Sequence, residues 1–299
     1  MASHAPLTET TSQFLRQDFQ EGLARWNRQR LSPTIGDEGW LAQLDHDHRM
    51  LRLEGRFMEE LRADVRTRAA QAPTDPDGFV AWFEALKHDG PGQGDPLFPW
   101  IAETATRDEI RWFLQQEAAG EAGFDDLVAY TQVKMPDRAK LELARNYWDE
   151  MGRGNAKGMH GPMLAKLVEV LDLSPEIETT VWESLALATA MTAMATTRRY
   201  AWHSVGALGV IELTAPGRSA CTAAGLRRIG LTDGERRYFD LHAVLDVKHS
   251  QDWNAEAIGP LVAEDPARAI AIAEGALLRL ACGERCFARY RAHFGIGHS

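Results

Sequence analysis

The sequence lacks the features of a membrane protein, a nucleic-acid-binding protein and a disulfide-stabilised fold. No stretch of its 299 residues approaches the roughly 20 consecutive apolar residues of a transmembrane helix. The net charge of −10 leaves no basic stripe for phosphates, which argues against a nucleic-acid partner. Cysteine is scarce, and its three positions, Cys221, Cys282 and Cys286, form no CxxC pair, so a reducing compartment is expected. Residues 1–12 have neither the basic nor the apolar region of a secretory signal. We therefore predict a cytoplasmic protein with no membrane partner.

Strand signals are also almost absent, whereas helical patterns cover most of the chain. No alternating run of Val, Ile, Thr and aromatic residues is bounded by an Asn-Gly or Asp-Gly turn. Apolar residues recur at helical spacing instead, which predicts helices over residues 37–68, 108–130, 137–151, 160–171, 175–200, 201–213, 218–229, 233–250 and 266–290. Thr106, with Glu109 three residues later, is typical of a capping box. We predict an all-α fold, with residues 1–105 as an N-terminal helical extension and residues 106–299 as the metal-bearing core.

The strongest local motif is LHAVLDVKH at residues 241–249, in which His242, Asp246 and His249 follow helical spacing. On a helix the three side chains fall within about 60° of arc and leave one face. That face would be held inward by packing of Val244, Leu245 and Val247. Two imidazoles and a carboxylate on a buried stripe are costly to desolvate unless something binds them, and mixed nitrogen and oxygen ligands suit iron or manganese. The alternative is a solvated face with two ordinary histidines.

A second candidate segment is NYWDEMGRG at residues 146–154, which ends in glycines and is followed by His160. A helical scaffold needs carboxylates from facing helices to hold two metals, and Glu150 is one candidate. Ten residues of ideal helix would place Glu150 and His160 about 80° apart. We therefore expect a loosened or bulged turn between them. The alternative for Glu150 is a solvent-facing side chain.

The third candidate is Glu212, which ends the otherwise apolar, small-residue segment 203–213. Gly206 and Gly209 would allow a neighbouring helix, or a substrate, to approach this segment closely. A carboxylate in such surroundings is more indicative of a site than one on a charged face. The alternative is a helix-terminal glutamate that reaches solvent.

Taken together, these segments resemble the haem-oxygenase-like diiron oxidases and oxygenases, the iron-containing redox enzymes. The resemblance covers residues 110–250 and rests on FLQQE (113–117), NYWDEMGRG with a later histidine (146–160), GALGVIE (206–212) and HAVLDVKH (242–249). In that family the first core helix gives a Glu and a His, the second a Glu, and the third an HxxxDxxH set. The corresponding metal ligands here are Glu150, His160, Glu212, His242, Asp246 and His249. The implied fold is a haem-oxygenase-like helical bundle with an additional N-terminal helical segment.

The resemblance also implies the chemistry. Two iron ions would bind O₂ as co-substrate and form a peroxo-diferric intermediate. The reaction implied is N-oxygenation of a small amine or amino-acid derivative in a biosynthetic pathway; oxidative desaturation or C–C cleavage of an amino or fatty acid is the alternative on the same site. In amine N-oxygenases of this family an auxiliary helix supplies one more glutamate. Its counterpart is Glu117, with Glu121 one turn away as the alternative. An external electron donor and a homodimer are compatible with this interpretation, and residues 1–105 would form a dimer surface or a lid.

Two hypotheses from other classes remain open on the sequence. One is a metal-free enzyme similar to thiaminase-II-like proteins, which use a cysteine nucleophile. The other is a non-catalytic helical binding protein, which would leave the inward carboxylates and histidines unexplained.

A further open question concerns a polar cluster before Glu212, formed by Arg198, Arg199, Tyr200 and His203. These residues would either anchor a substrate carboxylate through charge-assisted hydrogen bonds or pair with nearby acids.

Overall fold

The computed structural model describes residues 13–36, 39–120 and 122–297. The segment predicted to hold no secretory signal, residues 1–12, lies outside these ranges, as does Glu121. Within them the chain is built from helices, and the only extended pairing is an isolated bridge between Met151 and Met159. The all-α prediction is thus confirmed. None of the described helices is both long enough and apolar enough to cross a bilayer.

Thirteen α-helices are described, numbered along the chain. They are α1 (Gln17–Leu31), α2 (Trp40–Ala69), α3 (Pro76–Asp89), α4 (Leu97–Glu103), α5 (Arg107–Glu117), α6 (Phe124–Thr131), α7 (Asp137–Glu150), α8 (His160–Val170), α9 (Trp182–Thr196), α10 (Ala201–Arg228), α11 (Arg237–Trp253), α12 (Gly259–Glu264) and α13 (Arg268–Phe294). A π-helical turn, Asn254–Ile258, joins α11 to α12. Short 3₁₀ turns join several of the other helices.

The helix boundaries differ from the prediction in two informative places. The single helix predicted over residues 108–130 is wrong, because α5 ends at Glu117 and α6 begins only at Phe124. The capping box at the start of α5 is confirmed, since Thr106 and Glu109 exchange both hydrogen bonds. Conversely, the break predicted between residues 213 and 218 is wrong. The helix α10 continues through Pro216, which is buried, although proline cannot donate to the carbonyl four residues earlier, that of Glu212.

The helix α10 lies at the centre of the bundle, in contact with α4, α9, α11 and α13. Its approach to α13 is close because glycine faces backbone on both sides. A Cβ atom on Gly206 would lie 1.9 Å from the Ile272 carbonyl oxygen, and one on Gly275 would lie 1.9 Å from that of His203. The expected close approach at Gly206 is therefore real, and its partner is a neighbouring helix. This contact fixes the segment that carries Glu212.

The N-terminal helices pack on the same bundle. Helix α1 contacts α9, α2 contacts α13, and α4 contacts α10. Their buried side chains, such as Trp26 and Phe57, belong to one apolar cluster with Leu208 and Leu277 of the central helices. Residues before position 106 thus contribute to the main core, and the domain boundary at residue 105 stays a prediction.

Candidate metal centre

A sharp reversal of the chain places Glu150 beside His160. Glu150 is the last residue of α7 and His160 the first residue of α8. Between them the bridge from Met151 to Met159 closes a compact loop. Gly152 has φ +60°, and a Cβ atom there would lie 2.4 Å from the carbonyl carbon of Gly158, so only glycine fits. The turn that we expected to be loosened is therefore a complete break between two helices. As a result, the ligand candidates come from four helices, α7, α8, α10 and α11, instead of three.

The six ligand candidates fall into two groups of three. The first consists of Glu150, His160 and His242, and the second of Glu212, Asp246 and His249; within each group one ligand atom per residue lies within 4.8 Å of the others. Five of the six residues are buried and His242 is half-buried. The helix α11 thus gives one histidine to the first group and an aspartate and a histidine to the second. The structure brings together all six residues, and their role as metal ligands stays a prediction.

Neighbouring groups hold the two histidines of α11 in defined orientations. Nδ1 of His242 donates to the carbonyl oxygen of Tyr238 at 2.6 Å, which leaves Nε2 facing Glu150, 4.0 Å from its Oε1. Nε2 of His249 donates to the Asp149 carboxylate at 3.2 Å, which leaves Nδ1 facing the second group. Metal-binding histidines are oriented in this way, with the second ring nitrogen donating to a carboxylate or a carbonyl.

Three residues around the site were not predicted to act there. Asp149 and the carbonyl of Tyr238 fix the two histidines, and the amide of Asn146 donates to Glu212 at 2.6 Å. One signal for Asn146 was present in the sequence, since it lies four residues before Glu150 and shares its helix face. The pairing of Asp149 with α11 joins residues 100 positions apart and has no local sequence signal.

The buried carboxylates shift the pKa values of their neighbours. Burial and the nearby Glu212 raise the pKa of Asp246 well above its ordinary value. Burial alone would lower the pKa of His249, but the carboxylates of Glu212, Asp149 and Asp246 outweigh it and raise the pKa to about 9. Burial lowers the pKa of His242, with partial compensation from the Tyr238 carbonyl and Glu150. The carboxylates of the second group thus lie close enough to repel one another when ionised, and a bound cation would relieve that repulsion.

The close nitrogen and oxygen atoms are arranged as metal ligands would be. Nδ1 of His160 lies 2.8 Å from Oε2 of Glu150, and Nδ1 of His249 lies 3.5 Å from Oε2 of Glu212. Both nitrogens are nevertheless buried without a hydrogen-bond partner, because neither contact has hydrogen-bond geometry. Buried polar atoms are rarely left unpaired. Atoms that approach each other without bonding are expected where both point at a shared cation, so the residues fit a metal centre.

Both groups face one pocket of about 140 Å³. Its polar wall is formed by Glu150, Glu212, His242 and Asp246, and its apolar wall by Phe124, Ile211, Ala215 and Phe239. The expected inward packing of the valines of α11 is wrong, because the side chains of Val244 and Val247 are exposed. The ligand face is held inward by α7, α8 and α10, which pack against α11, and the valines lie on the opposite face.

Glu117 lies outside both groups. It is the last residue of α5, and its carboxylate accepts a hydrogen bond of 2.9 Å from the hydroxyl of Tyr290. Its predicted role as an additional ligand stays a prediction, and the alternative, Glu121, lies outside the described residues.

The polar cluster before Glu212 pairs with nearby residues and faces no cavity of the site. Arg198 donates to backbone carbonyls of residues 130, 131 and 133. The other three residues contact acids in the pairs Arg199–Glu59, Tyr200–Glu59 and His203–Glu274. Of the two alternatives left open by the sequence, the structure thus favours pairing with nearby acids.

Comparison with known proteins gives a result that agrees with this geometry. No protein with a curated description matches the chain. The model of a family described as iron-containing redox enzymes matches residues 111–284, which is more than half of the chain and includes all six ligand candidates. The family is a helical bundle, as is the fold described above. The chain therefore belongs to the iron-containing redox enzyme family.

Proposed function

We propose that this protein is a non-haem diiron oxygenase or oxidase that activates O₂ by the route implied by the family resemblance. The observation that carries the proposal is the pair of three-residue groups facing one pocket. Each group combines imidazole nitrogen with carboxylate oxygen, a ligand set suited to iron. Two Fe(II) ions held there would supply the electrons for O₂ activation.

The protein residues supply charge balance, orientation and shielding from water. Three carboxylates, those of Glu150, Glu212 and Asp246, would offset most of the charge of two divalent ions. Asn146 and Asp149 hold their partners in position through the hydrogen bonds described above. One wall of the pocket is apolar, and an apolar wall beside the ions would limit competing reactions of an oxidant. The site thus has the parts that a contained oxidation requires.

For the reaction itself we propose N-oxygenation of a small amine or amino-acid derivative in a biosynthetic pathway. The pocket of about 140 Å³ suits a small substrate, and its carboxylates would attract a cationic amine. The alternative is oxidative desaturation or C–C cleavage of an amino or fatty acid at the same ions. An external electron donor would return the ions to the reduced state between turnovers.

The cysteine-based alternative has no support at the described cysteines. Burial raises the pKa of the thiols of Cys221, Cys282 and Cys286. A nucleophilic cysteine needs a lowered pKa, because the thiolate is the reactive form. A non-catalytic binding protein would leave the unpaired nitrogens of His160 and His249 unexplained.

The proposal is tested by anaerobic titration of the metal-free protein with Fe(II), followed by rapid mixing with O₂. We expect about two irons per chain, as in other helical diiron carboxylate sites, and a transient visible absorption band after mixing. His242→Ala and Glu212→Ala, one from each group, should each lower the iron content and abolish the band. His88→Ala, at an exposed position on α3, is the matched control. An unchanged iron content in both site variants, or no iron uptake by the wild-type protein, would refute the diiron proposal.

The choice among reactions is tested by mass spectrometry of candidate amines and amino acids incubated with the iron-loaded protein and ¹⁸O₂. N-oxygenation adds one labelled oxygen to a product that retains every carbon atom. Desaturation removes two hydrogens without adding label, and C–C cleavage shortens the carbon chain. A desaturated or shortened product would contradict N-oxygenation and support the alternative reaction.

A further inference from the structure

A second cavity, of about 110 Å³, adjoins the metal pocket. The two share the lining residues Ile211, Ala215, Ser219 and Phe239. On the far side of this shared wall the second cavity is lined by three ionisable groups, those of Glu117, Arg218 and Arg279. A molecule with its reactive end in the metal pocket would therefore have its other end near these three groups.

The side chain of Glu117 opens into this cavity. The residue is exposed, and it lines this cavity and a neighbouring one. The hydroxyl of Tyr290 fixes the carboxylate at 2.9 Å. Burial raises the pKa of Glu117, which favours the neutral form and reduces its ability to neutralise the arginines.

Arg218 places a guanidinium group against the aromatic side of the cavity. Its charged carbon lies 5.3 Å from the ring centre of Phe287 and 5.9 Å from that of Phe98. Its described hydrogen bonds both go to Thr214, one turn earlier on α10. Burial and the nearby Arg279 lower the pKa of Arg218 to about 9, so the group still carries its charge at neutral pH.

The third ionisable group of the cavity is Arg279. Its Nη1 is buried and has no hydrogen-bond partner, and within the described ranges no acid forms an ion pair with it. Two other arginines of α13 differ: Arg291 pairs with Asp95, and Arg268 with Glu264. Arg279 is half-buried, and a buried guanidinium nitrogen without a partner is unfavourable. A negatively charged group entering the cavity would remove this penalty.

We propose that this cavity binds the carboxylate of the substrate through Arg279 and Arg218. Two guanidinium groups exceed one carboxyl group in charge whether or not Glu117 is ionised, so the cavity favours an anion. A planar guanidinium group can donate two parallel hydrogen bonds to the two oxygens of a carboxylate. The rest of the substrate would run past Ile211 and Phe239 to the ligand face. The inference rests on the proposed function, since it takes the metal pocket as the place of reaction.

The test is calorimetric titration of the full metal-free chain, in the presence of a chelator, with hexanoate and with hexan-1-amine as probes. These probes share a six-carbon chain and differ in the sign of the end group. Hexanoate should bind to the wild-type protein, and Arg279→Met should weaken that binding by about 10- to 100-fold, as for loss of a charged hydrogen-bond partner. Arg279→Lys, which keeps the charge but not the planar fork, should lie between the two. Hexan-1-amine, which the carboxylates of the metal-free pocket would attract, should bind equally well to the wild-type protein and to Arg279→Met.

The matched control is Arg285→Gln, which removes one positive charge from the same helix. Arg285 pairs with Asp64 at 3.0 Å and lines neither cavity, so hexanoate should bind to this variant as to the wild-type protein. Arg218→Met gives an independent test if Arg279→Met fails to fold. Equal hexanoate affinity in the Arg279 and Arg285 variants would overturn the inference, as would absence of hexanoate binding to the wild-type protein or an equal loss of hexan-1-amine binding in Arg279→Met. Fe(II) uptake by Arg279→Met should match the wild-type protein, which separates failure of this site from failure of the metal centre.

Discussion

Replacement of Asp149 should weaken iron binding although Asp149 is not one of the six ligand candidates. Its carboxylate accepts from Nε2 of His249 at 3.2 Å, and the two side chains are 20% and 5% exposed. A hydrogen bond to a charged group contributes about 1.5–3 kcal/mol, which corresponds to about 10- to 100-fold in a binding constant. The same range is typical when the partner that orients a metal-binding histidine is lost. We expect Asp149→Ala to lose this much Fe(II) affinity.

The assay is anaerobic titration of the metal-free protein with Fe(II) in competition with a chromophoric chelator. Asp149→Asn keeps an acceptor for the imidazole but loses the charge, so its affinity should fall between those of the wild-type protein and Asp149→Ala. Arg153→Gln is the control, because Arg153 contacts Asp149 at 2.6 Å from a side chain that is 70% exposed. If Asp149→Ala and Arg153→Gln bind Fe(II) equally well, the orientation of His249 does not depend on Asp149 and the reasoning fails.

Three further predictions concern pH and packing. Because the pKa values of His249 and Asp246 are both raised to about 9, a metal that binds both must displace up to two protons at neutral pH. Apparent Fe(II) affinity should therefore rise between about tenfold and about a hundredfold per pH unit from pH 6 to 8, and a flat titration series would contradict this. Gly152→Ala should lower the free energy of unfolding by about 1–3 kcal/mol, because a side chain there adopts a strained φ and meets backbone; thermal unfolding measures it. Gly206→Ala should lower the free energy of unfolding by about 1–3 kcal/mol, because the new methyl group clashes with the backbone of Ile272. The control is Gly217→Ala, which has no atom within 4 Å of the new methyl group and should leave the free energy of unfolding unchanged or raise it. Denaturant titration measures both variants.

Local periodicity was sufficient to predict those parts of the site that lie within one helix. His242, Asp246 and His249 share a face because helical spacing depends only on neighbouring residues, and α11 places them as expected. The capping box at Thr106 is local in the same sense. The convergence of the ligand segments on one pocket was predicted from the order of motifs in a known family, since no spacing rule connects Glu150 with His242. The family pattern implied three helices, whereas the structure uses four.

The remaining features depend on contacts between distant segments. A helix end was predicted between residues 213 and 218, but α10 continues through that segment inside the bundle. Nothing near Arg279 in the sequence indicates that its Nη1 lacks a hydrogen-bond partner among the described residues, because that property depends on which helices surround it. The prediction that Val244 packs inward was wrong for a similar reason. Apolar residues are buried on average, but whether one particular residue is buried depends on the helices around it.

The reversal between Glu150 and His160 has a consequence for the evolution of such sites. The bridge from Met151 to Met159 fixes the two ends of the loop, and none of residues 152–158 lines the pocket or belongs to either ligand group. Insertions or deletions at the tip of this loop would therefore leave Glu150 and His160 side by side. Related chains can thus vary in the number of residues that separate these two positions. A search pattern for these proteins should keep the strict spacing of HxxxDxxH and let the interval before it vary in length.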